Sequence, residues 1–284
     1  MNPTYIAATK QAEHLRLRFS LKSFQSVDIY DLCDKLEVTV RFVDVNMEGM
    51  YFIDENKKHP TIFISNLRPL PRRNFTCGHE LGHHLFGHGS KMDALSSTGV
   101  EQASYNTEER LVDTFSGALL MPIGGISAEF NRRNIHPDTA NVLDFYKISS
   151  LFGVGYRTLI SHCKVNGLIK DLQMINLLKF TPSKILKKLY PNGEQNTHFK
   201  IFDGKSKVGP VDLEVGNYLF LPPDCNVDGD HLSLIDQTNY GNIFCANKPG
   251  IVRVFSHERD FGFFTRIQKL GYVGLAEYRH LEND

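Results

Sequence analysis

The chain has 284 residues, 41% of them hydrophobic and 23% charged, and its 32 lysines and arginines equal its 32 aspartates and glutamates. This is ordinary soluble globular composition, with length for two domains or for one domain and a helical extension. A formal net charge of zero argues against nucleic acid as the main partner, because a protein that neutralises many phosphates usually carries a basic excess. The N-terminal stretch MNPTYIAATKQAEHLRLRFS has no apolar core of signal-peptide length, and no run approaches the ~18 apolar residues of a membrane span. A cytoplasmic protein without a membrane partner is expected. Cys33, Cys77, Cys163, Cys225 and Cys245 are odd in number, scattered and free of any CxxC pair. That fits reduced, mostly buried thiols better than a disulfide framework or a zinc ribbon.

Along the chain, residues 3–22 read as an amphipathic helix. VDIYDLCDKL (27–36) reads as a second, with Ile29, Leu32, Cys33 and Leu36 at helical spacing. The period then changes. VTVRFVDV (38–45) alternates as a strand does, and MYFID and TIFIS follow with turn residues between them, predicting a small antiparallel sheet. LRPLPRR (67–73) is a proline-marked link. The polar stretch 88–106 lacks an apolar period and predicts a loop. TEERLVDTFSGALLMP (107–122) predicts a helix with Leu111, Phe115, Ala118 and Leu119 on one face and Pro122 helping to end it. Residues 138–170 suggest two or three short helices and 171–190 one or two more. Pro191, Asn192 and Gly193 then mark a boundary. Beyond it HFKIF, YLFLP, LSLID, NIFCA and IVRVF give a strand-rich C-terminal part.

The link at 67–73 leads into CGHELGHHLFGH, Cys77–His88. Successive residues of an α-helix turn by ~100°, so positions four apart lie within ~40° on one face. His79 and His83 have that spacing and can reach one ion; Glu80 stands beside it, where a carboxylate can take a proton from water. Leu81, Leu85 and Phe75 supply the apolar back of such a helix, and Gly78 and Gly82 permit close packing. HExxH also arises by chance, and it provides only two ligands where a catalytic zinc site has three protein ligands and an open position. The HExxHxxGxxH route to the third fails, because Phe86 and Gly89 stand where its glycine and histidine belong. A second route takes Glu109 from the following helix, with Asp113 one turn on to receive the free N–H of a ligand histidine. Glu109 is equally readable as a helix-start residue, Asn106-x-x-Glu109 being like a capping box, and Glu108 is the alternative ligand.

RNFTCGHELGHHLFGH followed by EERLVDTFSGALLMP resembles the ImmA/IrrE family of metallopeptidases, whose helices read "rxFtlaHELGHhllgH" and "ExxAnxFAaxLLMP". The resemblance spans about residues 10–165. It implies a gluzincin-like fold and a zinc-dependent endopeptidase, with Mn²⁺ as another suitable ion. It also implies a helix-turn-helix transcriptional repressor as substrate, cut to release stress-response or mobile-element genes. By the same resemblance His79, His83 and Glu109 are the metal ligands, Glu80 the general base, and Asp113 stands where the family often has Asn. Val112 and Ser116 replace two usual alanines, which concerns packing and not chemistry.

The expected fold is therefore α+β: a metallopeptidase domain (1–135), a helical segment of helix-turn-helix character (136–192), and a strand-rich domain (193–284) of unassigned role, for which sensing a ligand, binding a partner and recruiting substrate are the candidates. The helical segment reads as a buttress. Arg132, Arg133, Lys147, Arg157 and Lys164 are too spread to form a compact basic patch, so direct DNA binding is not expected. His84, His88, Tyr105 and Tyr156 are the candidates for stabilising an oxyanion, with His84 and His88 more readily read as structural or surface residues. His198, His231, His257 and His280 show no ligand spacing. A competing reading, a metal-stabilised module that binds a repressor or DNA without cutting, leaves Glu80 without a purpose.

Overall fold

The computed structural model describes residues 3–22, 25–54, 58–93 and 107–281. In chain order, helices α1 (Pro3–Arg18) and α2 (Ile29–Asp34) precede strands β1 (Thr39–Val43), β2 (Gly49–Phe52) and β3 (Thr61–Ser65), then α3 (Leu70–Phe86), β4 (Lys91–Asp93) and α4 (Thr107–Leu120). Helices α5 (Ile123–Arg132), α6 (Val142–Phe152), α7 (Tyr156–Val165), α8 (Asp171–Leu178) and α9 (Pro182–Leu189) follow. The remaining strands are β5 (Phe199–Ile201), β6 (Val211–Glu214), β7 (Tyr218–Leu221), β8 (Cys225–Val227), β9 (Leu232–Thr238), β10 (Gly241–Ala246), β11 (Gly250–Ser256), β12 (Gly262–Gln268) and β13 (Gly274–Leu275). The fold is α+β.

By contact density the chain forms two compact units, one built on Val27–Pro122 with α1 and Gly271–Arg279, the other on Ile123–Leu270. These do not coincide with bounds at 135 and 192. Within the second unit, α5 is tied to the segment after β5: Arg133 bonds Glu129 Oε2 (2.6 Å) and both oxygens of Asp203 (3.0 Å each). Tyr146 of α6 stacks on Phe199 of β5 (4.3 Å, 7°) and its hydroxyl donates to the Phe199 carbonyl. Pro191–Gly193 is thus a turn inside one packed unit.

In the first unit the sheet order is β13-β1-β3-β2-β4. It is mixed where the sequence predicted an antiparallel sheet: β1 and β3 run parallel, from Thr39↔Thr61 to Val43↔Ser65. The chain reverses between β1 and β2 and again between β2 and β3, so β3 regains the direction of β1 and inserts beside it. Strand β4 lies within the stretch expected to be a loop and pairs with β2, Gly49 opposite Asp93. Phe42, Ile62, Ile64, Leu81, Phe115 and Leu119 are fully buried and form the core between sheet and helices. Helix α1 places Ala8, Ala12 and Leu15 at helical spacing against this core, and its buried Arg16 donates to the Leu119 carbonyl at the end of α4 (2.7 Å), satisfying a terminal group.

The second unit carries two four-stranded sheets, β5-β7-β10-β9 and β6-β12-β11-β8, around a core that includes Leu213, Leu219, Val254 and Ile267. Strands β6, β8 and β12 extend the five predicted there. Arg133 is buried in ion pairs, Arg132 lies 3.5 Å from Glu129 and Lys164 pairs with Asp171 (2.8 Å), so three of the five cations weighed for DNA contact are already engaged. The stretch Thr107–Arg132 is long and apolar enough to cross a membrane by length and composition. Half of its most apolar 18-residue window is buried inside the protein, and the stretch is divided between α4 and α5.

Candidate metal centre

The site is built on α3. Pro71 sits in its first turn, where a missing N–H costs nothing. Arg73 hydrogen-bonds the Asn66 and Arg68 carbonyls, so this arginine of the link is structural. The helix ends at Gly87, whose φ of 72° is left-handed; its N–H reaches the His83 and His84 carbonyls, and the His88 N–H also returns to His83 O (3.1 Å). His79, Glu80 and His83 are all buried.

Three ligand-type atoms converge. His79 Nε2 lies 3.2 Å from His83 Nε2 and 3.2 Å from Glu109 Oε2, and His83 Nε2 lies 3.6 Å from Glu109 Oε2. Tetrahedral bonds of ~2.0–2.1 Å put ligand atoms ~3.3–3.4 Å apart, so this triangle matches one face of such a polyhedron. The chemistry agrees. Asp113 Oδ1 lies 2.8 Å from His79 Nδ1; with that nitrogen donating, His79 Nε2 carries a lone pair. A lone pair and a carboxylate oxygen aimed at one point, beside a second imidazole nitrogen, are arranged to receive a cation. The His79, His83 and Glu109 group can therefore hold a metal ion.

Strand β2 runs alongside the helix. Its buried residues Gly49 and Tyr51, two apart, meet Glu80 and His84, four apart on α3. A Cβ added at Gly49 would stand 2.7 Å from Glu80 Oε1 and 2.6 Å from Thr76 Cγ2, so only glycine leaves room for this carboxylate. The Tyr51 hydroxyl and His84 Nδ1 are 2.8 Å apart. Burial lowers the His84 imidazole below its ordinary pKa and raises the Tyr51 phenol, which favours the neutral form of each.

Glu109 reaches the histidines because α3 and α4 pack closely. A Cβ on Gly82 would stand 2.9 Å from Val112 Cβ, and one on Gly78 would stand 2.6 Å from Ser116 Oγ. Ser116 Oγ donates to the Phe75 carbonyl (2.9 Å). The departures at 112 and 116 thus fit: both face a glycine, and Gly78 itself replaces the small residue written "a" in the family pattern. Volume has moved from one helix to the other.

Of the oxyanion candidates, His84 is bonded to Tyr51, His88 faces His83 Nδ1 (3.0 Å), and the Tyr156 hydroxyl donates to the Leu177 carbonyl within the second unit. Tyr105, and Asn106 of the suggested capping box, lie outside the described residues. The Tyr51 pairing and the role of Gly49 were not foreseen; the alternation in MYFID was the available signal. Cys77 is buried with its Sγ 3.7 Å from that of Cys33. Burial, then the hydrogen bond with Cys33, raises its thiol pKa well above the usual value.

The chain finds no match among curated proteins. A family model described as the IrrE N-terminal-like domain, Peptidase_M78, matches residues 33–162, which takes in α3, α4 and every residue of the triangle. That match supports a metallopeptidase-type function and leaves the C-terminal extension unmatched. Residues 33–162 are thus similar to the peptidase domain of the ImmA/IrrE family.

Proposed function

We propose that this protein is a zinc-dependent endopeptidase that hydrolyses a peptide bond in a specific protein substrate. The observation that carries the reading is the convergence of His79, His83 and Glu109 on one point, with Glu80 buried at the next position of the same helix. Two imidazoles and a carboxylate suit Zn²⁺ and also accommodate Mn²⁺. When bound, the ion supplies a Lewis acid that polarises the scissile carbonyl and acidifies water.

Glu80 takes a proton from the attacking water onto a carboxylate oxygen and returns it to the leaving amine. Gly49 sets where that carboxylate lies. Asp113 accepts the His79 Nδ1–H and so keeps His79 Nε2 bare. Tyr51 and His84, bonded to each other and favoured neutral, are hydrogen-bonding groups one turn beyond Glu80 from which a donor to the developing oxyanion can come.

We infer that the substrate is a helix-turn-helix repressor of stress-response or mobile-element genes and that cleavage occurs in the cytoplasm. The family resemblance supports this, as do five cysteines that are all free thiols. The test co-expresses the protein with the repressor encoded beside its gene and follows intact mass. The wild type should truncate the repressor. Glu80→Gln should keep its metal by elemental analysis and leave the repressor whole. Relief of repression by metal-loaded E80Q would overturn the hydrolytic reading in favour of a binding module.

A further inference from the structure

His88 lies five residues after His83. On a continuous helix that offset places a side chain ~140° away, on another face. Here the helix stops at Phe86, and left-handed Gly87 turns the chain back so that His88 Nδ1 comes within 3.0 Å of His83 Nδ1. The ring is held in place. Phe86 stacks on it (5.9 Å, 22°), Phe86 in turn meets Phe115 edge-on (5.8 Å), and the His83 and His88 rings are 5.1 Å apart. His88 touches the nitrogen on the far side of the His83 ring from Nε2, so it is not a fourth ligand.

We propose that His88 is a positioning residue for His83: its Nδ1 accepts the His83 Nδ1–H, which fixes the tautomer and ring orientation that leave His83 Nε2 bare for a divalent cation. Asp113 does the same for His79 at 2.8 Å. The two ligand imidazoles are therefore buttressed differently, one by an anion and one by a neutral ring. A carboxylate strengthens an imidazole's donor power; a neutral acceptor orients the ring and adds no charge to a site that already holds Glu80, Glu109 and Asp113. Gly87 serves the same end. A Cβ there would meet nothing within 4 Å, so what favours glycine is the positive φ and not space.

This inference rests on the proposed metal site, and its test separates the two. The full chain is loaded with Zn²⁺ and the dissociation constant is measured by competition with a chelating dye. His88→Phe keeps the ring and its stacking but removes the acceptor; His88→Asn keeps an acceptor near the Nδ1 position. H88F should bind Zn²⁺ ~10–100-fold more weakly, the usual effect of removing an outer hydrogen-bond partner, while H88N keeps most of the affinity. In ¹H–¹⁵N spectra of the zinc-loaded protein, wild type and H88N should show hydrogen-bonded ring N–H protons from both His79 and His83, and H88F only that of His79. Gly87→Ala, which keeps the His88 imidazole in the chain but strains the turn that carries it back to His83, should weaken Zn²⁺ binding in the same direction, so a misfolded H88F would still leave a decisive measurement. Wild-type affinity in H88F, or an equal loss in H88N, overturns the role of His88 while the metal site stands. Failure of the wild type to bind Zn²⁺ overturns both.

Discussion

The contact between Gly78 and Ser116 makes a prediction in which one substitution changes sign with its background. Gly78→Ala places a Cβ 2.6 Å from Ser116 Oγ, well inside a comfortable contact of ~3.5 Å. Either the hydroxyl swings away from the Phe75 carbonyl it bonds at 2.9 Å or α4 retreats from α3. A buried hydroxyl left without its bond costs ~1–3 kcal/mol. Replacing a mid-helix glycine by alanine returns ~1 kcal/mol, so G78A should be destabilising by roughly 0–2 kcal/mol. In a Ser116→Ala background the next contacts of the new Cβ are 3.4 Å to the residue 116 Cβ and 3.5 Å to Leu120 Cδ1, which is ordinary packing. There G78A should stabilise by ~0.5–1 kcal/mol, and alanine at both positions restores the pairing written in the family pattern. A double-mutant cycle by urea unfolding of the metal-free chain measures the difference, a coupling of ~1–3 kcal/mol. Zn²⁺ affinity should follow the same order, because His79 adjoins Gly78. If G78A stabilises equally in both backgrounds, the two helices are not in the tight contact that brings Glu109 to the histidines.

Three further outcomes follow from single residues. Gly49→Ala is compatible with the backbone, since Gly49 is not among the positive-φ residues, but it displaces Glu80. Zn²⁺ binding should survive while repressor cleavage slows ~10–100-fold, as a shift approaching 1 Å in a catalytic group costs about that; an unchanged rate would mean that Glu80 has room to spare. Arg133→Ala takes from Glu129, only 3% exposed, the nearer of its two arginines and leaves Arg132 at 3.5 Å, so it should destabilise the second unit in calorimetry by less than the ~3–5 kcal/mol of a fully unpaired buried charge. In thiol titration at pH 8, Cys245, the only cysteine that is not buried, should react first. Buried Cys77, and Cys163 with its pKa raised by burial to about 12, should react only on unfolding; early labelling of either would show that its helix opens locally.

What the sequence made legible was periodic. His79, Glu80 and His83 could be grouped because one helix repeats every 3.6 residues and the ion's demands fall on one face. The strands β1, β2 and β3 followed from the same kind of count; of the face expected on α4, Phe115 and Leu119 are buried, while Leu111 and Ala118 are half-buried and Val112 and Ser116 take the inner positions. Glu109 was a candidate by its spacing to Asp113, but only the family resemblance chose it, because a glutamate in a first turn has an equally good reason to be there as a dipole partner. The parallel pairing of β1 with β3 was not legible, since a two-residue period records which face a side chain takes and not which way its strand runs. Strand β13, which adds to β1 after more than two hundred residues, and β4, with its polar KMD, carried no signal of their own.

His88 shows how a correct rule can mislead. Five residues past His83 and at the head of a stretch expected to be a loop, it read as a structural or surface residue, because helical spacing offers it no tie to the ligand. The glycine before it was the warning, since glycine commonly ends a helix in the left-handed conformation and folds the next residue back. Similar reasoning applies to Gly49. An isolated glycine in a strand marks a close approach by some other group, and here the group is the carboxylate of Glu80, thirty-one positions on. The histidines of α3 that could hold an ion were readable from their spacing. The glycines that make room beside them, or bring their partners back, say only that something must come close, and it takes the packed structure to show what.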